Sequence, residues 1–301
     1  MGALLARWRD FIRAQRSLEI VERAADLLAA GQVIGWVQGR SEFGPRALGN
    51  RSILADPRPA ENKDIINRMV TKREGYRPFA PSVPREDVDH YFVTTVAQKD
   101  FPYMGVVLDV RPEWRDELAA ITHVDGTARI QTVARDTNPR YWELLRSFGD
   151  RAGVSVLLNT SFNNHAEPIV DSARDAVACF LTTDLNALVI GDWLIRKRVA
   201  DPDAWQKLRV RLPEAVALSA ERDACGHNGS DWMYQVRFAH HRGRSTQISL
   251  NCYRLLAEAD GELSIGDFSR RAEQSGAETE DLVSELRSLW SDRFVELDPP
   301  R

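Results

Sequence analysis

The chain has 301 residues, 43% of them hydrophobic, with Lys+Arg 40 against Asp+Glu 44 and a formal charge of −4. That length provides for roughly two domains with ordinary cores, and the composition excludes a disordered chain, which needs low hydrophobicity and high net charge. The near-neutral balance offers no long-range attraction for nucleic acid or an anionic membrane, so any bound anion must be held by a local cluster.

The opening stretch, MGALLARWRDFIRAQR, has Arg7, Arg9 and Arg13 interrupting its apolar residues, which leaves no secretory apolar core. No later run approaches the ~18 apolar residues of a membrane helix. Cys179, Cys225 and Cys252 are an odd, widely spaced set, neither a disulfide framework nor a metal knuckle. Together these features predict a reduced, cytoplasmic protein without a metal site.

Residues 17–30 predict a helix, with Ser17 at its start, Val21, Ala24, Leu27 and Leu28 on one face and Gly31 as the stop. An apolar strand over 33–37 follows, then a Gly-rich stretch and a second helix over 60–70. Residues 77–84 read as a loop, because Pro78, Pro81 and Pro84 deny any helix. Strands are expected at 104–110 and 128–133. Asn138-Pro139 opens a third helix with Tyr141, Leu144, Leu145 and Phe148 inward and Gly149 closing it. A buried-type strand over 154–158, a helix capped by Asp171 and a strand over 187–191 complete an alternating pattern, the signature of an α/β layer structure.

The pattern changes near residue 200. Asp201-Pro202-Asp203 reads as a linker, followed by a hairpin over 232–251 turning near Gly243 and two short helices around 267–290. Residues 251–301 carry twelve acidic residues against six arginines, which argues against DNA binding by a module whose element order is winged-helix-like. The expected division is a helical lead-in (1–30), an α/β domain (31–200) and a small α+β accessory or docking module (201–301).

The most informative stretch is GRSEFGPRALGNRS, residues 39–52. Gly39, Gly44 and Gly49 open the backbone while Arg40, Arg46 and Arg51 supply guanidinium forks, a combination suited to cradling an anion. A turn with solvated arginines accounts for the local pattern equally well. A Walker loop does not, since Pro45-Arg46 stands where Lys-Ser/Thr is required. Two further clusters are Lys72, Arg73 and Arg77 in KREGYRPFAPS, and Asn159, Thr160, Ser161 and Asn163 in LLNTSFNN at the end of an apolar strand, where α/β sheets place ligand groups.

In order, the strings GRSEFGPRALGNRSILADPR, KREGYRPFAPSV, THVDGTARIQTV, LLNTSFN, EPIV and LVIGDWLI resemble the C-terminal domain of the carbamoyltransferases that decorate natural products and nodulation factors. The resemblance spans roughly residues 30–198. It implies a YrdC-like fold, a twisted mixed sheet with flanking helices, and the use of ATP and carbamoyl phosphate to form carbamoyl-adenylate. It further implies Arg46, Lys72 and Arg77 on carbamoyl phosphate and phosphate oxygens, with Arg51 and Arg129 on the triphosphate side. Ser161 and Asn163 are expected on the nucleotide with Asn159 beside them, and Mg²⁺ to arrive on the triphosphate.

One departure is local: where the family has N-x-K-G-E-P, this chain reads Asn163-Asn164-His165-Ala166-Glu167-Pro168, losing a cation and a glycine. The other is that only some 30 residues precede the matching region, too few for the family's actin-like transfer domain. The expectation is therefore an activating enzyme that passes its product to a separate actin-like transfer subunit or carrier, with no nucleic acid or membrane partner. A non-catalytic nucleotide or carbamoyl phosphate sensor, and an adenylating enzyme for another acyl group, stand as alternatives.

Overall fold

The computed structural model describes residues 1–70, 79–94, 99–222, 232–239, 244–274 and 281–300. Lys72, Arg73, Arg77 and the Gly243 turn lie outside the described residues. The chain forms two compact units, Ile12–Lys197 and the pair of segments Gly2–Phe11 and Arg198–Arg301.

Helix α1 (Gly2–Arg7) belongs to the second unit. The first contains β1 (Ile12–Arg16), α2 (Ile20–Ala29), β2 (Ile34–Val37), β3 (Arg51–Ala55), α3 (Glu61–Val70), β4 (Ala80–Pro84), α4 (Val88–Tyr91) and β5 (Phe92–Val93). It continues with β6 (Val106–Val110), β7 (Thr127–Val133), α5 (Pro139–Ala152), β8 (Leu157–Ser161), α6 (Ala173–Leu181), β9 (Ala187–Ile190) and β10 (Trp193–Lys197). Among the described residues ten strands form one sheet in the order β1-β10-β9-β2-β3-β8-β4-β7-β6-β5. Only the β2–β9 and β4–β7 pairings are parallel, so this is the mixed α/β sheet with flanking helices that the sequence predicts. Its central strands β2, β3, β4 and β9 are buried throughout; β2 and β9 are continuous apolar runs, whereas β3 and β4 bury the polar Arg51, Ser52 and Ser82.

Several local expectations change. Residues 80–84 are a central strand, not a loop: prolines exclude a helix, yet their fixed φ suits extended chain. Pro81 lies opposite Leu158, one residue before pairing with β7 begins at Ser82, and Pro84 ends the strand. Helix α5 runs past Gly149 to Ala152 and is capped by Gly153 in the left-handed conformation, φ 80°. Gly149 instead permits close approach, since a Cβ there would lie 2.1 Å from Ser155 Oγ. Helix α6 is capped by Ser172, not Asp171; the Ser172 hydroxyl accepts from Asp175 N–H at 3.2 Å and the Asp175 carboxylate accepts from Ser172 N–H at 2.9 Å, a reciprocal capping box.

The second unit adds α7 (Pro202–Gln206), β11 (Arg209–Arg211), β12 (Val216–Arg222), β13 (Trp232–Phe238), β14 (Ser245–Ile248), α8 (Leu250–Glu258), β15 (Asp260–Ser264), α9 (Ile265–Gln274), α10 (Leu282–Ser291) and β16 (Glu296–Asp298). Two three-stranded antiparallel sheets, β15-β11-β16 and β12-β13-β14, are packed with its helices. Residues 201–203, expected to be a linker, instead cap and open α7 because the Asp201 carboxylate accepts from Asp203 N–H and Pro202 occupies the first turn. Of residues 1–30, expected as a helical lead-in, Gly2–Phe11 fall in the second unit, and β1 and α2 belong to the first. Leu5, Trp8 and Phe11 recur every three residues and are buried, with Trp8 stacked on Trp290 at 5.8 Å and Phe11 edge-on to Trp205 at 4.9 Å.

Candidate functional site

The site forms where the β2–β3 loop folds over the middle of the large sheet. Three groups shape that loop. Glu42 Oε1 accepts the N–H groups of Leu48, Asn50 and Arg51 at 2.8, 2.7 and 3.2 Å, so one carboxylate gathers the returning limb. The Arg51 guanidinium, almost wholly buried, donates to the carbonyls of Gln38, Gly39, Asn50 and Asp171 at 2.9–3.3 Å. Gly49, at φ 107°, lies against the Tyr141 ring, and its N–H donates to Ser52 Oγ at 3.1 Å.

A buried polar cluster holds the loop from below. Ser82 lies opposite Gln131 in the register, as Ala80 lies opposite Asn159, so these side chains share one face. Asn159 Nδ2 donates to Gln131 Oε1 at 2.9 Å, Ser82 Oγ at 3.1 Å and the Ala47 carbonyl at 3.2 Å. Ser82 Oγ donates to Gln131 Oε1 at 2.6 Å, and Gln131 Nε2 donates to the Leu48 carbonyl at 2.8 Å. Buried amides of this kind are stable only when partnered, and here the partners are the loop's own carbonyls.

Two pockets adjoin across the loop. The smaller, about 40 Å³, is lined by Arg46, Ala47, Phe79, Ala80, Met104, Arg129, Asn159, Thr160 and Ser161, room for roughly three waters or one small anion at ~10–15 Å³ per water. Asn159 Oδ1 is buried there without a hydrogen-bond partner among the described residues, an acceptor suited to a ligand N–H. Met104 is held at φ 55° with its side chain buried in the wall; non-glycine residues at positive φ are strained and concentrate at functional sites. The larger cleft, about 500 Å³, is lined by Ser41, Glu42, Gly44, Pro45, Ser161, Asn163, Pro168, Ile169, Val170 and Asp171. Its volume lies in the range of small-molecule sites. Ser161 lines both.

The sequence-predicted residues are thus divided. Arg46, Arg129, Asn159 and Ser161 meet in the small pocket, and Ser161 and Asn163 line the cleft. Asn163 Nδ2 also donates to the carbonyls of Asn164 and Glu167 at 2.8 and 3.2 Å, closing the turn that replaces the family's glycine-containing stretch. The Arg51 guanidinium, expected on the triphosphate side, is instead directed onto loop carbonyls. Asn159 likewise gives its N–H groups to the protein and lies in the wall of the small pocket. Sequence reasoning missed Glu42, the hub of the loop, and Asp171, whose carbonyl accepts from Arg51 and whose carboxylate accepts from the Ser41 hydroxyl. In the adjoining ADPR stretch, Arg58 forks onto the buried Asp56 carboxylate at 2.7–3.1 Å and reaches the Ala152 carbonyl, tying the end of β3 to α5. Among the described residues no group of three His, Cys, Asp or Glu is arranged to hold a metal, and no helix is long and apolar enough to cross a membrane.

Fold and site define a mixed α/β domain in which a small pocket lined by Arg46 and Arg129 adjoins a larger cleft. The model of the carbamoyltransferase C-terminus matches residues 25–197, more than half of the chain, and the protein belongs to that family. It is 50% identical to nodulation protein NolNO of Sinorhizobium fredii over 99% of this chain and 44% of that protein. It is likewise 50% identical to nodulation protein NolO of Bradyrhizobium diazoefficiens, over 98% of this chain and 54% of that one. A 3'-hydroxymethylcephem-O-carbamoyltransferase of Amycolatopsis lactamdurans is 42% identical over 62% of this chain and 32% of its own length. The chain spans about half the length of the two nodulation relatives, and its match to them includes the second unit.

Proposed function

We propose that this protein catalyses ATP-dependent activation of carbamoyl phosphate to carbamoyl-adenylate. The observation that carries the reading is the sharing of Ser161 between a small pocket with two arginines and a larger, partly apolar cleft, which supports a small phosphate bound next to a nucleotide. Carbamoyl phosphate, ATP and one water yield carbamoyl-adenylate, phosphate and pyrophosphate. Negative charge accumulates throughout, so fixed guanidinium groups are the principal catalytic device. Arg46, with Lys72 and Arg77, holds carbamoyl phosphate and the departing phosphate. Arg129 faces the triphosphate, Ser161 and Asn163 contact the nucleotide, and Mg²⁺ enters with the triphosphate as part of the substrate.

The product is a reactive mixed anhydride that water would destroy. It passes to a transfer site on an actin-like domain, supplied by a separate subunit or carrier, for O-carbamoylation of a natural-product hydroxyl. The second unit is the docking surface for that partner. Membership of a carbamoyltransferase family and similarity to a protein named as a cephem O-carbamoyltransferase support this class of acceptor.

Incubation with ATP, Mg²⁺ and carbamoyl phosphate should release pyrophosphate and form an AMP-linked product. Tight ATP binding without turnover would make the protein a sensor. Turnover only with another carboxylate would make it an adenylating enzyme for a different acyl group.

A further inference from the structure

The turn before β7 contains a histidine that the proposed chemistry leaves unused. His123 N–H donates to the Thr127 carbonyl at 2.7 Å and Gly126 N–H to the His123 carbonyl at 2.9 Å, which fixes the turn. Asp125 Oδ1 accepts from both the N–H and the hydroxyl of Thr127, at 3.0 and 2.7 Å, and the Thr127 hydroxyl holds the Asp125 carboxyl below its usual range. The hydroxyl has one proton, and the carboxylate takes it. The 2.9 Å contact between Thr127 Oγ1 and His123 Nδ1 must then carry its proton on nitrogen. Neutral His123 is therefore the Nδ1–H tautomer, with a bare lone pair on Nε2.

That Nε2 is buried and has no hydrogen-bond partner among the described residues. Thr127 and Arg129 are alternate residues of β7 and share the face that carries Gln131, so the imidazole extends the polar row leading from Asn159 through Gln131 and Arg129. The charged groups acting on the ring are Asp125 on its own turn, Arg129 on β7 and Lys63 on α3. Burial is the main influence against protonation, Arg129 and Lys63 add to it, and Asp125 opposes it. A dianion beside Arg129 offsets both cations and, with Asp125, shifts the balance toward the protonated ring.

We propose that His123 is the proton-accepting member of the anion site, its Nε2 taking one proton from the buffer when a dianion binds beside Arg129. The bound state then gains a further positive charge next to Arg129, although the imidazole itself does not line the small pocket. This rests on reading the small pocket as the phosphate site.

Sulfate is the probe, because it remains a dianion between about pH 5.5 and 8.5 while histidine titrates. Calorimetric titration of the full chain in buffers of different ionisation enthalpy measures proton uptake. Wild type should take up as much as about one proton per sulfate, and affinity should weaken by up to about tenfold per pH unit as pH rises through the linked range. His123→Gln should bind sulfate with no linked proton and a flat pH profile. Undiminished uptake in His123→Gln, or wild-type binding without uptake, would overturn the inference. Should His123→Gln fail to fold, Thr127→Val keeps the imidazole and removes the partner that fixes its tautomer. Uptake should then shrink, and unchanged uptake would count against the proposal. Sulfate binding that survives in both Arg46→Ala and Arg129→Ala, or no sulfate binding at all, would instead remove the phosphate-site reading, and the inference with it.

Discussion

The Cα of Gly49 is so close to the Tyr141 ring that a Cβ built on it would lie 2.2 Å from Cδ1. Tyr141 is fully buried on α5, so the ring has little room to yield. Gly49→Ala therefore combines overpacking with a φ of 107°, an expected loss of about 2–4 kcal/mol. Gly44→Ala provides the comparison, since its φ is 127° but nothing lies within 4 Å of the added carbon. Its cost should be near the strain alone, about 1–2 kcal/mol. Urea midpoints for the two variants test this, and equal losses would show that contact with Tyr141 is not the cause.

Arg46 and Arg51 lie five residues apart in one loop and should fail in different ways. Arg46 is exposed at the small pocket, so Arg46→Ala should melt within about 0.5 kcal/mol of wild type while losing stabilisation by added phosphate. Arg51→Lys keeps the charge, but an ammonium has three donors and no planar fork with which to reach four separate carbonyls. That variant should lose stability and phosphate protection together, by about 2 kcal/mol or more. Thermal melts with and without phosphate distinguish the two, and a stable Arg51→Lys that still binds phosphate would contradict its positioning role.

The amide of Asn159 donates to three acceptors, the Ala47 carbonyl, Ser82 Oγ and Gln131 Oε1. Asn159→Asp preserves the shape and replaces the donor with an acceptor. The buried carboxylate would face lone pairs, so its folded pKa must rise above the unfolded value near ~3.9. The variant should be destabilised by about 2–4 kcal/mol at neutral pH and recover progressively as pH falls through its raised folded pKa, the direction set by linkage. Stability curves between neutral and acid pH check the sign. A uniform loss at all pH values would show a packing defect instead.

In the first unit the legible strands include the continuous apolar β2 and β9, and the legible helices have one apolar face; α5, for example, buries Tyr141, Leu144, Leu145 and Phe148 as its spacing predicts, whereas β1, β3 and β10, which carry charged residues, give no such run. The errors occurred where one residue type admits two conformations. Prolines forbid a helix but not a strand, so β4 read as a loop. Gly149 looked like a stop because glycine that permits close packing and glycine that closes a helix are the same letter. In the site, the density of glycine and arginine in residues 39–52 is suited to an anion cradle or to a turn with solvated arginines, and the structure spends Arg51 on the loop's carbonyls while Arg46 lines the small pocket. Which guanidinium faces outward was not legible, because it depends on carbonyls brought near by the return of the chain at Asp171. Glu42 had no partner pattern in sequence, since its acceptors' donors are backbone N–H groups. The Ser172-x-x-Asp175 spacing is itself a capping signal, stronger than the lone Asp171 because both partners of the box are present.

His123 also gives the fold a pH dependence with a definite sign. Burial first, then the charges of Arg129 and Lys63, hold its protonation below the ordinary histidine value of 6.5. The unfolded chain thus binds a proton that the folded one refuses. Its contribution is fully present above about pH 6.5 and is lost as pH falls through the lower folded value. The stability difference between wild type and His123→Asn should therefore shift against wild type on acidification from about pH 7.5 to 5. Added sulfate should oppose that shift in wild type alone. Parallel curves for the two proteins across that range would mean that the imidazole titrates alike in both states, contrary to its burial beside two cations.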